Sequence, residues 1–171
     1  KSLGIDDSLM GYFISEDNLP NIALKYLGPN LFSLVKNERK IDNHEFLLIA
    51  LSVLQQLEKL HGAGYVHRDI KLENICYMEE YMKSGDLKIT SVTLIDWDFT
   101  TERKQSWERV LATEMYAAPE LVDALGTSMD LTLADMFAFG VCLFSILVRK
   151  YPFRRNLKGY DKHKDIPPHF L

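Results

Sequence analysis

The amino-acid sequence predicts an α+β fold that is mainly α. Two long stretches, 43–61 and 134–148, carry helical apolar patterning. The apolar pieces before and between them are short and are bounded by Gly, Pro and charged residues, as strands and turns are. With 171 residues, 47% hydrophobic and 26% charged, the composition suits one globular domain or a large part of one.

Taken in order, Gly11-Tyr-Phe-Ile14 and Asn21-Ile-Ala-Leu-Lys-Tyr-Leu27 read as two strands around a turn at 15–20. Gly28-Pro29-Asn30 ends them, and Leu31, Leu34 and Val35 start a short amphipathic helix. The clearest helix runs from Asn43 to His61. Asp42 with Glu45 three residues later makes a capping box. Phe46, Ile49, Val53, Leu57 and Leu60 keep helical spacing, and Gly62 and Gly64 stop the helix. Tyr65-Val66, Ile75-Cys-Tyr77 and Val92-Thr-Leu-Ile95 read as strand fragments, with a hairpin tip at Ser84-Gly85-Asp86. Residues 99–117 lack any period and read as a long loop, with a short helix after Pro119. Met136 to Val148 is a run of 13 residues without a charge. A membrane span needs about 20, so this run reads as a helix buried on all sides of its domain.

The net charge of −4 and the pI near 5.7 disfavour a protein held to nucleic acid through phosphate contacts. The stretch Lys1 to Met10 is polar and acidic, unlike a secretory signal, and no segment predicts a membrane anchor. Cys76 and Cys142 sit in separate apolar runs and read as buried free thiols in a reducing, intracellular compartment, cytoplasmic or nuclear. Oligomeric state has no signature in the sequence. His44, His61, His163 and His169 share no metal-ligand spacing and read as surface or capping residues.

The chemistry-bearing stretch is Tyr65-Val-His-Arg-Asp-Ile-Lys-Leu-Glu-Asn-Ile75, which holds H-R-D-x-K-x-x-N in one short loop. Leu94-Ile-Asp-Trp-Asp98 places its first Asp 22 residues past Asn74. Ala118-Pro-Glu120 and then Ala134-Asp-Met-Phe-Ala-Phe-Gly-Val141 follow in order. Together these motifs resemble the eukaryotic protein kinase superfamily, serine/threonine type, over nearly the whole chain. Tyr26-Leu-Gly-Pro-Asn-Leu-Phe-Ser-Leu34 is similar to the segment after the hinge in the casein kinase 1 group.

The resemblance implies a kinase C-lobe with a partial N-lobe strand pair, divided as 1–27 (strand remnant and hinge) and 28–171 (incomplete C-lobe). It implies ATP and Mg²⁺ as cofactors and a protein substrate offering a Ser or Thr hydroxyl. Phosphoryl transfer asks a protein for positioning and charge neutralisation more than for covalent work. Asp69 matches the carboxylate that orients the acceptor hydroxyl and takes its proton. Lys71 matches the ammonium that meets the γ-phosphate, and Thr113 the hydroxyl that braces Asp69 and Lys71. Asn74 and Asp96 match the Mg²⁺ ligands, oxygen donors suited to a hard ion. Leu24, Lys25, Tyr26 and Leu27 match the hinge beside the adenine, with Cys76 beneath it. Arg68 matches the residue that pairs with an acidic or phosphorylated group in the following segment, where Thr100, Thr101 and Ser106 are candidates. His67 and Trp97 are expected to pack together under the site, and Asp135 to hold the loop backbone.

Three departures stand out. No G-x-G-x-x-G occurs, nor a strand Lys with its helix Glu, so the chain is expected to be about two thirds of a kinase domain. Asp98 stands where the family has Gly, whose backbone freedom other residues lack. The stretch between Asn74 and Asp96 is longer than usual, which predicts an extended hairpin. These departures keep open a second function, a pseudokinase acting as an interaction module. A small-molecule kinase is disfavoured by Thr113, Tyr116 and Ala118-Pro-Glu120, which resemble a peptide-docking loop.

Overall fold

The computed structural model describes residues 9–106, 113–119, 121 and 128–153. The chain runs β1 (Leu9–Ile14), β2 (Pro20–Leu24), α1 (Leu31–Lys36), α2 (Asn43–Gly62), β3 (Tyr65–Val66), β4 (Ile75–Tyr81), β5 (Leu87–Leu94), β6 (Thr101–Glu102), β7 (Lys104–Ser106), β8 (Ser128–Asp130) and α3 (Thr132–Val148). The strands pair antiparallel as β1–β2, β3–β6, β4–β5 and β7–β8.

Local chemistry sets the helix starts. Asn30 caps α1 by accepting the Ser33 N–H at 2.9 Å. At α2, the Asp42 carboxylate accepts the Glu45 N–H at 2.8 Å and Glu45 accepts the Asp42 N–H at 3.0 Å, closing the capping box. Ile49, Val53, Leu57 and Leu60 line one face of α2 and are buried, as their three- and four-residue spacing requires. They join Leu31, Leu34 and Val35 of α1, Leu94 of β5 and Phe139 and Cys142 of α3 in the core.

Glu45 does a second job beyond the cap. It is buried, and its Oε1 accepts from Arg39 at 2.7 Å and from the Ile89 N–H of β5 at 3.0 Å. Burial pushes this carboxyl up, but the bonds from Arg39, Ile89 and Asp42 outweigh that and hold it below its ordinary value of 4.5. The long β4–β5 hairpin is therefore tied to the start of α2.

The expected hairpin tip is present: Gly85 has φ +87 and its N–H donates to Met82 O at 2.9 Å. Three expectations need correction. Gly62 lies inside α2, whose cap is Ala63, and Gly64 with φ +90 turns the chain instead. The stretch 99–106 is not bare loop but carries β6 and β7, because its backbone finds partners in β3 and β8. The α3 helix is not buried on all sides. Ala138, Phe139, Cys142 and Ile146 face the core, while Leu133 and Leu147 are about two-thirds exposed. Among the described residues no element covers that second face. The short helix expected after Pro119 is described at Pro119 and Leu121, both helical, while Glu120, His163 and His169 lie outside the described residues.

Replacing Glu45 by Ala strands the Ile89 N–H and leaves Arg39 with Glu79 as its remaining carboxylate, and urea unfolding should read a loss of about 2–3 kcal/mol. Because the folded-state pKa is depressed, the Glu45 contribution is complete above the unfolded value and fades as pH falls through the folded one. Stability followed below pH 4.5 should therefore fall more steeply in the wild type than in Glu45→Gln.

Candidate active site

The loop 67–74 hangs from one carboxylate at the start of α3. Asp135 is 2% exposed, and its Oδ1 accepts the Arg68 N–H at 2.8 Å. Its Oδ2 accepts the His67 N–H at 2.8 Å and meets His61 Nε2 at 2.8 Å. His61 projects from the last turn of α2, so it is part of this cluster and not the surface residue expected from the sequence. The grip matters because Arg68 has φ +73, a left-handed conformation costing a side-chain-bearing residue about 1–2 kcal/mol. The Arg68 guanidinium reaches the Phe99 carbonyl at 3.3 Å, just beyond the Asp96-Trp97-Asp98 motif.

His67 is fully buried and stacks at a tilt against Trp97, with ring centroids 4.7 Å apart. The Asp69 N–H donates to His67 Nδ1 at 3.3 Å, so the ring proton sits on Nε2, which donates to Ile95 O at 3.1 Å. Burial lowers the His67 pKa against the pull of Asp135, and the ring is neutral near pH 7. One imidazole thus links the 67–74 loop to the chain entering Asp96.

Asp69 is the centre of the next layer and is 5% exposed. Its Oδ1 accepts the Thr113 hydroxyl at 2.8 Å. Its Oδ2 accepts from Lys71 Nζ at 2.6 Å and from Asn74 Nδ2 at 3.0 Å, and Asn74 also donates to the Asp69 carbonyl at 2.9 Å. Among the described residues Thr113 reaches Asp69 and not Lys71. The two Asn74 bonds fix which way its amide points. The nitrogen serves Asp69, and the carbonyl oxygen makes no hydrogen bond among the described residues.

That free oxygen is the donor a hard divalent cation takes. Asp96 is exposed and has φ +65, a left-handed turn that Asp tolerates. An amide oxygen and one carboxylate, with water completing the shell, fit Mg²⁺, which keeps several waters and needs few protein ligands. Asp98 does not have the left-handed backbone that a glycine requirement would imply; the positive φ falls on Asp96 instead. The substitution at 98 therefore carries no backbone strain.

The residues expected at the hinge, 24–27, lead from the end of β2 toward the Asn30–Cys76 bridge. Leu24 ends β2, Lys25 is exposed, Tyr26 is 75% exposed and Leu27 is half-buried. Gly28 has φ +85, and a Cβ there would lie 1.9 Å from the Tyr77 carbonyl oxygen, so only glycine passes. The Tyr77 N–H donates to Pro29 O at 2.9 Å, and Asn30 bridges to Cys76, which brings the hinge exit against β4. Burial raises the Cys76 thiol pKa, as for a packed apolar group.

Sequence reasoning gave no role to Glu73 or Tyr151. Tyr116 is buried, its hydroxyl 3.0 Å from Tyr151 and 3.4 Å from Glu73, and it also accepts the Leu72 N–H at 3.4 Å. This ties the 114–116 turn to the floor of the 67–74 loop. The signal for it was only the Tyr116 side chain beside Thr113.

Two outcomes follow. Asp135→Asn turns an amide N–H toward one of three donors, and chemical unfolding should show a loss of about 2–4 kcal/mol. His67 has a folded pKa below its unfolded 6.5, so stability should fall as pH drops below 6.5, through the folded value. His67→Phe should flatten that segment of the curve.

The protein kinase domain model matches residues 8–168. The chain is 28% identical over 153 residues to the serine/threonine-protein kinase pkn3 of Myxococcus xanthus, covering 87% of this chain and 27% of that protein. It is 32% identical over 127 residues to ribosomal protein S6 kinase alpha-2 of Mus musculus, covering 74% of this chain and 16% of that protein. It is 30% identical over 148 residues to the serine/threonine-protein kinase ppk16 of Schizosaccharomyces pombe, covering 85% and 21%. The chain spans less than a third of the length of these relatives. With a family model over nearly all of its residues, the chain belongs to the protein kinase domain family, among the serine/threonine kinases.

Proposed function

We propose that this domain, in its full-length product, moves the γ-phosphate of ATP to a Ser or Thr hydroxyl of a protein. The observation that carries the reading is the Asp69 carboxylate, buried and held by Thr113, Lys71 and Asn74 at 2.6–3.0 Å. Three bonds aim this carboxylate, and it keeps lone-pair capacity for one more donor, the acceptor alcohol. Asp69 takes that proton as the oxygen attacks phosphorus. Lys71, already beside Asp69, supplies positive charge where the transferring group's oxygens gather it. Asn74 Oδ1 and Asp96 would hold Mg²⁺, which when bound neutralises phosphate charge. Leu24, Lys25, Tyr26 and Leu27 on one side and Cys76 on the other would bracket the adenine. The 26–34 segment supports a place near the casein kinase 1 group.

A second reading, a non-catalytic interaction module, is favoured by Asp98. An exposed carboxylate two residues from Asp96 repels nucleotide phosphates unless a cation lies between.

The two separate in one pair of measurements on the full-length product. Asp69→Asn should cut phosphate transfer to a generic Ser/Thr acceptor by about 10²–10⁴-fold, while leaving nucleotide affinity in place. Undiminished transfer refutes the base assignment. ATP at 100 times its Kd should add about 2.7 kcal/mol to stability in the presence of Mg²⁺. No thermal shift at millimolar nucleotide, with or without Mg²⁺, favours the interaction module.

A further inference from the structure

The chain leaving Asp96 must travel to Thr113, whose hydroxyl holds Asp69. Arg103 sits partway along it, between β6 and β7, and makes three separate attachments. Its N–H donates to Gly64 O at 2.7 Å, at the turn before β3. Its carbonyl accepts the Leu131 N–H at 3.4 Å, one residue before α3. Its guanidinium forks onto Asp130, with Nε at 2.9 and 2.8 Å from the two carboxylate oxygens and Nη2 on Oδ2 as well.

Asp130 is itself committed to α3. Its Oδ1 accepts the Thr132 N–H at 3.1 Å and the Thr132 hydroxyl at 2.9 Å, over the first turn of the helix. The N-cap residue Leu131 has no side-chain bond to offer, so Asp130 does that work from one position earlier. Three residues into the same helix stands Asp135, the anchor of His67 and Arg68. The strands around Arg103 repeat the link: Val66 pairs with Thr101 and Lys104 pairs with Asp130.

We infer that Arg103 and Asp130 form a clamp that positions the 101–106 strands against the helix holding the 67–74 loop. Both are positioning residues. Neither reaches Asp69, and they act through the backbone of β6, whose partner β3 leads into the 67–74 loop. The clamp rests on the proposed kinase chemistry for its catalytic readout, but its structural readout stands alone.

The energetics make the inference testable. The side chains are 44% and 33% exposed, and exposed ion pairs contribute little to folding. Releasing the clamp should therefore leave the melting temperature almost unchanged. The bidentate fork nevertheless restricts orientation, which a Lys point charge cannot copy. Hence Arg103→Lys should behave like Arg103→Ala, only more mildly. Asp130→Asn keeps an acceptor for Thr132 and removes the charge that Arg103 needs.

The experiment uses the full-length protein after phosphatase treatment. Arg103→Ala and Asp130→Asn are compared with wild type by amide hydrogen exchange over 101–106, by thermal unfolding and by steady-state kinetics. The clamp predicts at least fivefold faster exchange in 101–106, little change in melting temperature, and a kcat lowered about five- to tenfold with the ATP KM unchanged. Unphosphorylated wild type should already show the slow exchange. Exchange that is the same in both variants as in wild type overturns the clamp, whatever the kinetics show. Faster exchange with an unaltered kcat overturns its role in positioning the 67–74 loop. A wild type that transfers no phosphate defeats the proposed function, and the exchange comparison still decides the clamp.

Discussion

The carboxylate of Asp135, 2% exposed, accepts the N–H groups of His67 and Arg68 and meets His61, all at 2.8 Å. Without it, two backbone donors lose their acceptor and the left-handed Arg68 loses the bond that holds its backbone N–H. The rest of the site is downstream of this grip. Arg68 in its unusual conformation redirects the chain so that His67 turns under the loop and Asp69 turns up from it. His67 then joins Ile95 and Trp97, and Asp69 gathers Thr113, Lys71 and Asn74. The long α3 helix serves as a post whose first turn is polar and whose later turns are core.

Rigidity is unevenly distributed. The 67–74 loop is held from below by Asp135, from the side by Tyr116 and from within by Asn74. The β1–β2 hairpin is different: Tyr12, Phe13 and Ile14 are more than half exposed. The family uses ATP and Mg²⁺, and the two proposed ion ligands reflect this split. Asn74 is buried and fixed by its hydrogen bonds, whereas Asp96 is exposed on a turn, so adjustment to a nucleotide falls on Asp96.

Much of this was legible in the sequence because the signals were local. Asp42 and Glu45 announced the start of α2 through a spacing that has one good geometric solution, and His67 to Asn74 announced the loop through residue types that phosphoryl transfer requires. What the sequence hid was long-range. His61 lies 74 residues from Asp135, and nothing near it distinguishes a loop anchor from a cap. Strands β6 to β8 were hidden because their pairing depends on partners far along the chain rather than on apolar alternation. The α3 run was over-read for the opposite reason: an uncharged composition shows that a helix tolerates burial and does not show how many faces are covered. Asp98 was misjudged because backbone demand was assigned by motif position, while the left-handed residue is Asp96.

The most direct test of the account is a crystal structure of the protein with Mg²⁺ and a non-hydrolysable ATP analogue. The account predicts a metal about 2.0–2.1 Å from both Asn74 Oδ1 and an Asp96 oxygen. Asp69 should still be bonded to Asn74 Nδ2, with one carboxylate oxygen open toward the terminal phosphate. An Asn74 amide turned the other way, or a nucleotide whose terminal phosphate lies beyond the reach of Asp69, would contradict it.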